Sequence, residues 1–196
     1  MRLTGRRTDS YFVPGLLVLA ALLCLSFTGP PESGIYMVRK GSIRFVSDAP
    51  LETIKGSSQE LRGVIDAGKR TFAFSVSNRS IHGFNSPLQQ EHFYENYIEA
   101  DRFPSSTFEG KIIEEIDFTK NGDYTVRAKG MLNIHGVARE RIIKSNLRVD
   151  GDKLTVTARF TVLLEDHQIT IPRIVYQKIA EEVAVEVEAE FALKTP

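Results

Sequence analysis

Asp123-Tyr124-Thr125-Val126-Arg127-Ala128-Lys129-Gly130-Met131-Leu132-Asn133-Ile134-His135-Gly136-Val137 is the stretch whose reading decides the fold. Tyr124, Val126, Ala128, Gly130, Leu132, Ile134 and Gly136 take alternate positions. Thr125, Arg127, Lys129, Asn133 and His135 fall between them, with Met131 the odd apolar member of that set. Successive side chains of a strand point to opposite faces, so an alternation this long reads as a half-buried β-strand.

The same period recurs on both sides of it. Phe72, Phe74 and Val76 alternate with Thr71, Ala73, Ser75 and Ser77. Leu154 to Leu164 alternates with Lys153, Thr155, Thr157, Arg159 and Thr161, and Val183 to Leu193 with Glu182, Glu186, Glu188 and Glu190. Arg141 to Val149 repeats the pattern more weakly, because Ile142 breaks its polar face, and Ser42–Ser47, Glu60–Asp66 and Thr107–Ile113 are shorter candidates. Asn121-Gly122, Asp150-Gly151-Asp152 and Ala67-Gly68-Lys69 are turn signals between them. The sum is an all-β chain of about eight antiparallel strands, whose apolar faces need a sheet that closes or folds onto itself, and a barrel is the expected form. Eight strands leave room inside for side chains or for one small ligand. A transmembrane barrel would turn the same faces outward, but the charge on the last strand and the small strand count favour a water-soluble one. Two segments break the period: Pro87–Ile98, a short helix with Phe93 and Tyr97 on one face, and Ile169–Ala180, where Val175 and Ile179 suit a single helical turn.

The first residues differ from the rest. Arg2, Arg6 and Arg7 precede an apolar run from Phe12 to Phe27, and Gly29-Pro30-Pro31 then breaks any helix. A run of roughly 15 residues suits the core of a signal peptide and is short for a membrane span. Residues 1–34 therefore read as a signal peptide or an N-terminal anchor with its linker, and 35–196 as the barrel domain of a periplasmic or secreted protein. Arg6-Arg7 lacks the apolar pair of a twin-arginine signal, and Leu23 before Cys24 is not the small residue that lipidation favours. Cys24 is the single cysteine of the chain, so a domain cut after it has no thiol for disulfides, nucleophilic attack or thiolate metal sites. Lys plus Arg and Asp plus Glu both number 25, and a zero net charge gives no field to attract nucleic acid.

At this level of detail a resemblance appears. Phe103-Pro104-Ser105-Ser106-Thr107-Phe108-Glu109-Gly110-Lys111-Ile112 and Gly130-Met131-Leu132-Asn133-Ile134-His135-Gly136-Val137 resemble two stretches typical of the YceI-like, polyisoprenoid-binding family. Ser42-Ile43-Arg44-Phe45 and Leu61-Arg62-Gly63-Val64-Ile65-Asp66 resemble its opening strands. The resemblance implies a lipocalin-like barrel, usually secreted or periplasmic, holding a long isoprenoid chain within. Gln89-Gln90-Glu91-His92-Phe93 departs from the family's helix, which often carries Arg-Asp-x-His-Leu, and Asp166–Ala180 is unlike the commoner members.

Little in the chain points to catalysis. His82, His92, His135 and His167 include no pair spaced to converge on a metal, and no Gly-x-Ser-x-Gly or clear acid–base pair is present. Glu91 and Glu95 read as a solvated helix face, and His135 as a hydrogen-bonding residue near a turn. The expectation is a non-enzymatic carrier with no cofactor, binding an apolar, isoprenoid-like lipid. It touches a membrane only through the N-terminal segment or during ligand exchange, and a homodimer is compatible with the sequence. An apolar chain is expected along Phe72, Phe74, Phe108, Tyr124, Val126, Leu132, Phe160 and Val162, which share inward parity. Phe93, Tyr97 and Phe103 would cover the entrance and His92 would stand near a polar headgroup. The small inward residues Gly110, Ala128, Gly130, Ala158 and Ala189 either open a cavity or merely accommodate the phenylalanines. The alternatives left open are a packed barrel acting as a protein-interaction or stress-related module, and an enzyme or redox accessory acting on an isoprenoid-like ligand.

Overall fold

In the computed structural model, which describes residues 34–194, each alternating stretch is a strand. The readings made on the N-terminal segment, its arginines and Cys24, lie outside the described residues. The strands are β1 (Ile35–Asp48), β2 (Thr53–Ser58), β3 (Arg62–Asp66), β4 (Thr71–Ser77), β5 (Ser105–Ile112), β6 (Gly122–Ile134), β7 (Val137–Asp150), β8 (Lys153–Leu163) and β9 (Glu182–Leu193). One helix, α1 (Pro87–His92), lies between β4 and β5. Neighbours pair in the order β2-β1-β3-β4-β5-β6-β7-β8-β9, and β1 also pairs with β9. Eight strands thus close an antiparallel barrel and β2 is extra to the ring. It lies on the outer half of β1, where Ile43 to Asp48 face Ser58 to Thr53, while Ile35 to Met37 face β3.

The alternation sets the sides of the wall as expected. Phe74, Val126 and Phe160 face the interior. The side chains of Arg127, Arg159 and Glu188 are 58%, 82% and 56% exposed, which settles the outward face. A one-residue slip would have inverted all six.

Three boundaries differ from the sequence reading. β6 ends at Ile134, and His135 and Gly136, with φ of 53° and 71°, form the two-residue turn into β7. Two consecutive left-handed residues are what a tight hairpin needs to match strand twist. Asn121-Gly122 is not a hairpin, because Phe118 folds inward from the long β5–β6 connection and Gly122 opens β6; the Asn121 side chain instead accepts from the Gly151 amide at 2.9 Å. The expected helix over Pro87–Ile98 is an α-helix only through His92 and widens into a π-turn at Phe93–Tyr97. Ser86 caps it, its side chain accepting from the Gln89 amide at 3.2 Å, and Pro87 takes the first turn, where no backbone donor is needed.

The two ends of the barrel are built differently. At the end holding the β3–β4 and β7–β8 turns, Tyr36, Phe118, Val149, Leu154, Ala189 and Phe191 fill the interior, with Tyr36 and Phe118 6.2 Å apart. At the opposite end α1 and the β8–β9 connection lie over the opening, and a smaller core of Ile98, Ala100 and Ile169 holds them down.

Candidate functional site

Between these ends the interior is hollow, with a cavity of about 550 Å³, within the range of small-molecule sites. Its wall carries Ile65, Phe72, Phe108, Ile112, Val126 and Leu147, together with Ile43, Leu132, Val156, Phe160, Val162 and Val185. Strand parity puts them there: each is the inward member of an alternating pair. Ser145, opposite Val126 on one side and Ala158 on the other, is the hydroxyl set into the middle of this wall. No charged side chain lines the deep part. Such a surface recognises by shape and apolar area, and polar specificity is left to the mouth.

The mouth is aromatic and polar. Phe93, on the π-turn after α1, stacks 4.9 Å from Phe84 and 5.7 Å from Phe45, and Phe45 and Phe84 meet edge-on at 6.0 Å. Glu52, Ser86, Gln89, His92 and Lys178 complete the rim. The Glu52 carboxylate accepts from Asn85 at 3.1 Å and Gln89 at 3.0 Å, and these bonds hold its pKa below the usual carboxylate value.

A latch beside the mouth ties the overlying segments to the barrel. His135, at the β6–β7 turn, reaches the Glu99 carboxylate through Nε2 and the His167 carbonyl through Nδ1, both at 3.1 Å. The bond from His135 draws the Glu99 pKa down. His167 is fully buried; its Nδ1 donates to the Val137 carbonyl at 2.9 Å, and its Nε2 has no partner among the described residues. Glu99, His135 and Gln168 all have left-handed backbone, at φ of 44°, 53° and 56°. Such conformations persist where surrounding contacts over-determine them. Asn78, also fully buried, by contrast has a partner for both side-chain polar atoms, donating to the Phe103 carbonyl at 2.7 Å and accepting from Ser106 at 2.8 Å.

Ten of the residues expected along the ligand path line this one cavity: Phe72, Phe74, Phe108, Val126, Leu132, Phe160 and Val162 on the wall, and His92, Phe93 and Tyr97 at the mouth. Two do not. Tyr124 belongs to the packed end, where its hydroxyl donates to the Lys120 carbonyl at 3.0 Å. Phe103 lies against the β6–β7 turn, its ring 4.8 Å from that of His135 and under the Arg102 guanidinium, so it covers the turn and not the entrance. A Cβ on Gly136 would strike the Phe103 ring. The small residues divide similarly. Ala128 and Ala158 border the cavity, whereas Ala189 is packed. Gly110 and Gly130 face each other across β5 and β6, and a Cβ on either would collide with the opposing backbone. Their smallness serves strand approach, not cavity volume.

Sequence reasoning missed Phe45 and Phe84. Phe45 was within reach, since Ile43 and Phe45 alternate along β1. Phe84 sits in a Gly83-Phe84-Asn85-Ser86 loop where no period marks it. Among the described residues no group of three His, Cys, Asp or Glu converges as metal ligands would.

A search of curated proteins found no match. Among solved structures, a polyisoprenoid binding domain from Saccharophagus degradans, implicated in plant cell wall breakdown, superposes with a TM-score of 0.68 at 14% identity, covering 81% of this chain and 98% of that one. BcnA from Burkholderia cenocepacia matches with a TM-score of 0.63 at 14% identity, over 76% and 95% of the two chains. The Campylobacter jejuni YCEI protein matches with a TM-score of 0.56 at 14% identity, over 72% and 85%. At these identities the likeness is one of fold. The family model described as the YceI-like domain matches residues 38–191, which spans the ring from β1 to β9, and the chain therefore belongs to the YceI-like family.

Proposed function

We propose that this protein is an extracytoplasmic carrier that holds an apolar, polyisoprenoid-type lipid inside the barrel. The observation that carries this reading is the cavity of about 550 Å³ with an uncharged deep wall and its charged groups, Glu52 and Lys178, at one mouth. Each methylene moved from water into such a space contributes roughly 0.8 kcal/mol, so a prenyl chain needs no charged anchor to bind tightly. The likeness to the polyisoprenoid binding domain from Saccharophagus degradans supports the choice of chain. We read the protein as a binder and not a catalyst, because the hydroxyls along the wall, such as Ser75, Thr107 and Ser145, stand among apolar side chains with no charged residue between them. Arg2 to Phe27 supplies the export signal.

Mass spectrometry of organic extracts from the purified protein tests the reading. The expected result is a stoichiometric long-chain isoprenoid or a lipid of similar apolar length. Extracts without lipid, together with no uptake of added polyprenol, overturn it. N-terminal sequencing of the exported protein should begin between about Leu25 and Gly34, as a cleaved signal requires; a product starting at Met1 would show an anchor instead.

A further inference from the structure

We infer that the apolar chain enters and leaves the barrel sideways, through a seam between β7 and β8 that the Arg141 side chain straps shut. This rests on the carrier reading, for which it supplies the route into the cavity.

The ring is not equally sealed along its height. β7 and β8 pair from Ser145 opposite Ala158 down to Asp150 opposite Lys153, and no further. Above that fork β7 stays paired with β6 as far as Val137, and β8 with β9 as far as Leu163. Two complete ribbons therefore separate at Ser145 and Ala158. Among the described residues no backbone hydrogen bond joins residues 138–144 to residues 159–163. Strand edges left unpaired in this way are normally covered or blunted. Here side chains cross the gap. Arg141 donates through Nη2 to the Thr161 carbonyl at 2.8 Å, and Arg139 through Nε to the Asp166 carbonyl at 2.7 Å. The turn carrying His167 closes the top, its ring donating to the Val137 carbonyl at 2.9 Å.

The seam borders the cavity. Ile143 and Ser145 on one side of it, and Ala158, Phe160 and Val162 on the other, all line that space. Outside, the two apolar exceptions to the strand pattern meet on the β6–β7 ribbon. Met131 lies opposite Glu140 and Ile142 opposite Lys129, so Met131 and Ile142 are diagonal neighbours, 42% and 56% exposed, with Ile142 at the edge of the seam. The charged residues flanking the upper seam turn away from it, Arg159 to Glu186 on β9 and Glu140 to Lys129 on β6, while Lys144 stands at the fork. The mouth is the harder path. A chain leaving end-on passes Glu52 and Lys178, and it has to displace segments held by the core of Ile98, Ala100 and Ile169. A chain leaving sideways breaks side-chain hydrogen bonds at partly exposed groups, and water replaces such bonds at little net cost.

Linking the strands tests the route. Cys24 is the single cysteine, so Cys24→Ser gives a full chain without thiols. Three pairs are then introduced and joined by a flexible, reducible bis-methanethiosulfonate linker. Ile142→Cys with Thr161→Cys spans the upper seam. Asn146→Cys with Thr157→Cys spans the paired part below it, and Leu51→Cys with Gln177→Cys ties down the mouth, where the Leu51 amide already donates to the Gln177 carbonyl at 2.9 Å. Each protein is loaded with deuterated polyprenol, and exchange against unlabelled polyprenol in vesicles is followed by mass spectrometry. The seam link should slow exchange about tenfold or more, as a locked gate does, and reduction of the linker should restore it. The other two links should leave exchange within about twofold of the unlinked proteins. Arg141→Gln removes the strap without a linker and should speed exchange about fivefold, with the melt confirming a folded barrel. Unchanged exchange in the seam-linked protein overturns the portal, as does a mouth link that stops exchange or an Arg141→Gln variant that exchanges like the parent. Bound polyprenol whose exchange ignores the seam link leaves the carrier and removes only the portal. A parent that takes up no polyprenol and yields no lipid on extraction removes the carrier, and the portal with it.

Discussion

The two ends of this barrel are made from the same strands and yet do opposite things. At the packed end, Phe191, Leu154 and Val149 are at most 2% exposed and meet Tyr36 and Phe118. At the hollow end the inward positions of those strands are Val183, Phe160, Val162 and Ile143, which border empty space. The difference does not lie in hydrophobicity. It lies in what closes each end. Phe118 and the β5–β6 connection deliver an aromatic plug to one, whereas α1 and the β8–β9 connection span the other from above and are held by a separate small core. Tyr36, Leu154 and Phe191 on the strands and Phe118 from a connection fill the base together, whereas the strand residues at the other end leave a space that the connections only span.

The sharpest way to break this contrast is to delete an aromatic ring at each end. Phe191→Ala should cost about 3–5 kcal/mol, because the rigid surroundings cannot collapse onto the void. Phe160→Ala enlarges a space already present and should cost less than half as much. Denaturant midpoints measure both, and equal losses would mean that the upper cavity is as tightly packed as the base.

The reverse substitution sharpens the comparison with a smaller effect. Ala189→Phe at the packed end should destabilise by about 1–3 kcal/mol or prevent folding, since Ala189 is only 1% exposed and no room exists beside it. Ala128→Phe and Ala158→Phe put the same ring into the cavity and should leave the melt within about 1 kcal/mol of the parent while excluding lipid. A variant that melts normally and still carries as much lipid as the parent would show that the chain does not lie along Val126 and Phe160.

How much of this was readable beforehand follows from what each feature depends on. Arg127 and Val126 differ by one position and face opposite ways, a local property of the strand, so the wall and ten of its expected lining residues were legible. Phe103 and Tyr124 also sit at plausible positions in such a pattern. What excluded them is non-local: a ring stacked over the β6–β7 turn, and a strand position that happens to fall below the cavity floor. Gly110 and Gly130 read as small inward residues that either open a cavity or accommodate the phenylalanines for the same reason, because sequence shows their size but not the backbone they face. The latch was hidden more deeply. Glu99, His135 and His167 lie far apart in the chain, and only the closed barrel brings them together.

That latch supplies the smallest predicted effect, confined to the hollow end. His167 is fully buried with Nδ1 committed to the Val137 carbonyl and, among the described residues, no acceptor at Nε2. Burial pushes its pKa below the ordinary 6.5, outweighing the nearby carbonyls and Asp166, with Arg139 adding to the depression. The sign follows by linkage. Above about pH 7 the ring is neutral whether the chain is folded or not, and it contributes no pH dependence. As pH falls below 6.5 the unfolded chain takes up the proton while the folded one resists, so stability declines until the folded value is passed and then levels from this source. Thermal melts of the parent between pH 8 and pH 5 should therefore fall. His167→Leu removes the titrating group and should flatten that limb, although it also frees the Val137 carbonyl and lowers the melt at every pH. Because His167 packs beneath the segments over the mouth and not against the plug, proteolytic nicking at 164–180 should rise with acidity in the parent more steeply than nicking at 113–121. Equal acceleration at both would mean that the barrel opens as one unit, and that its two ends, however differently built, are not independently stable.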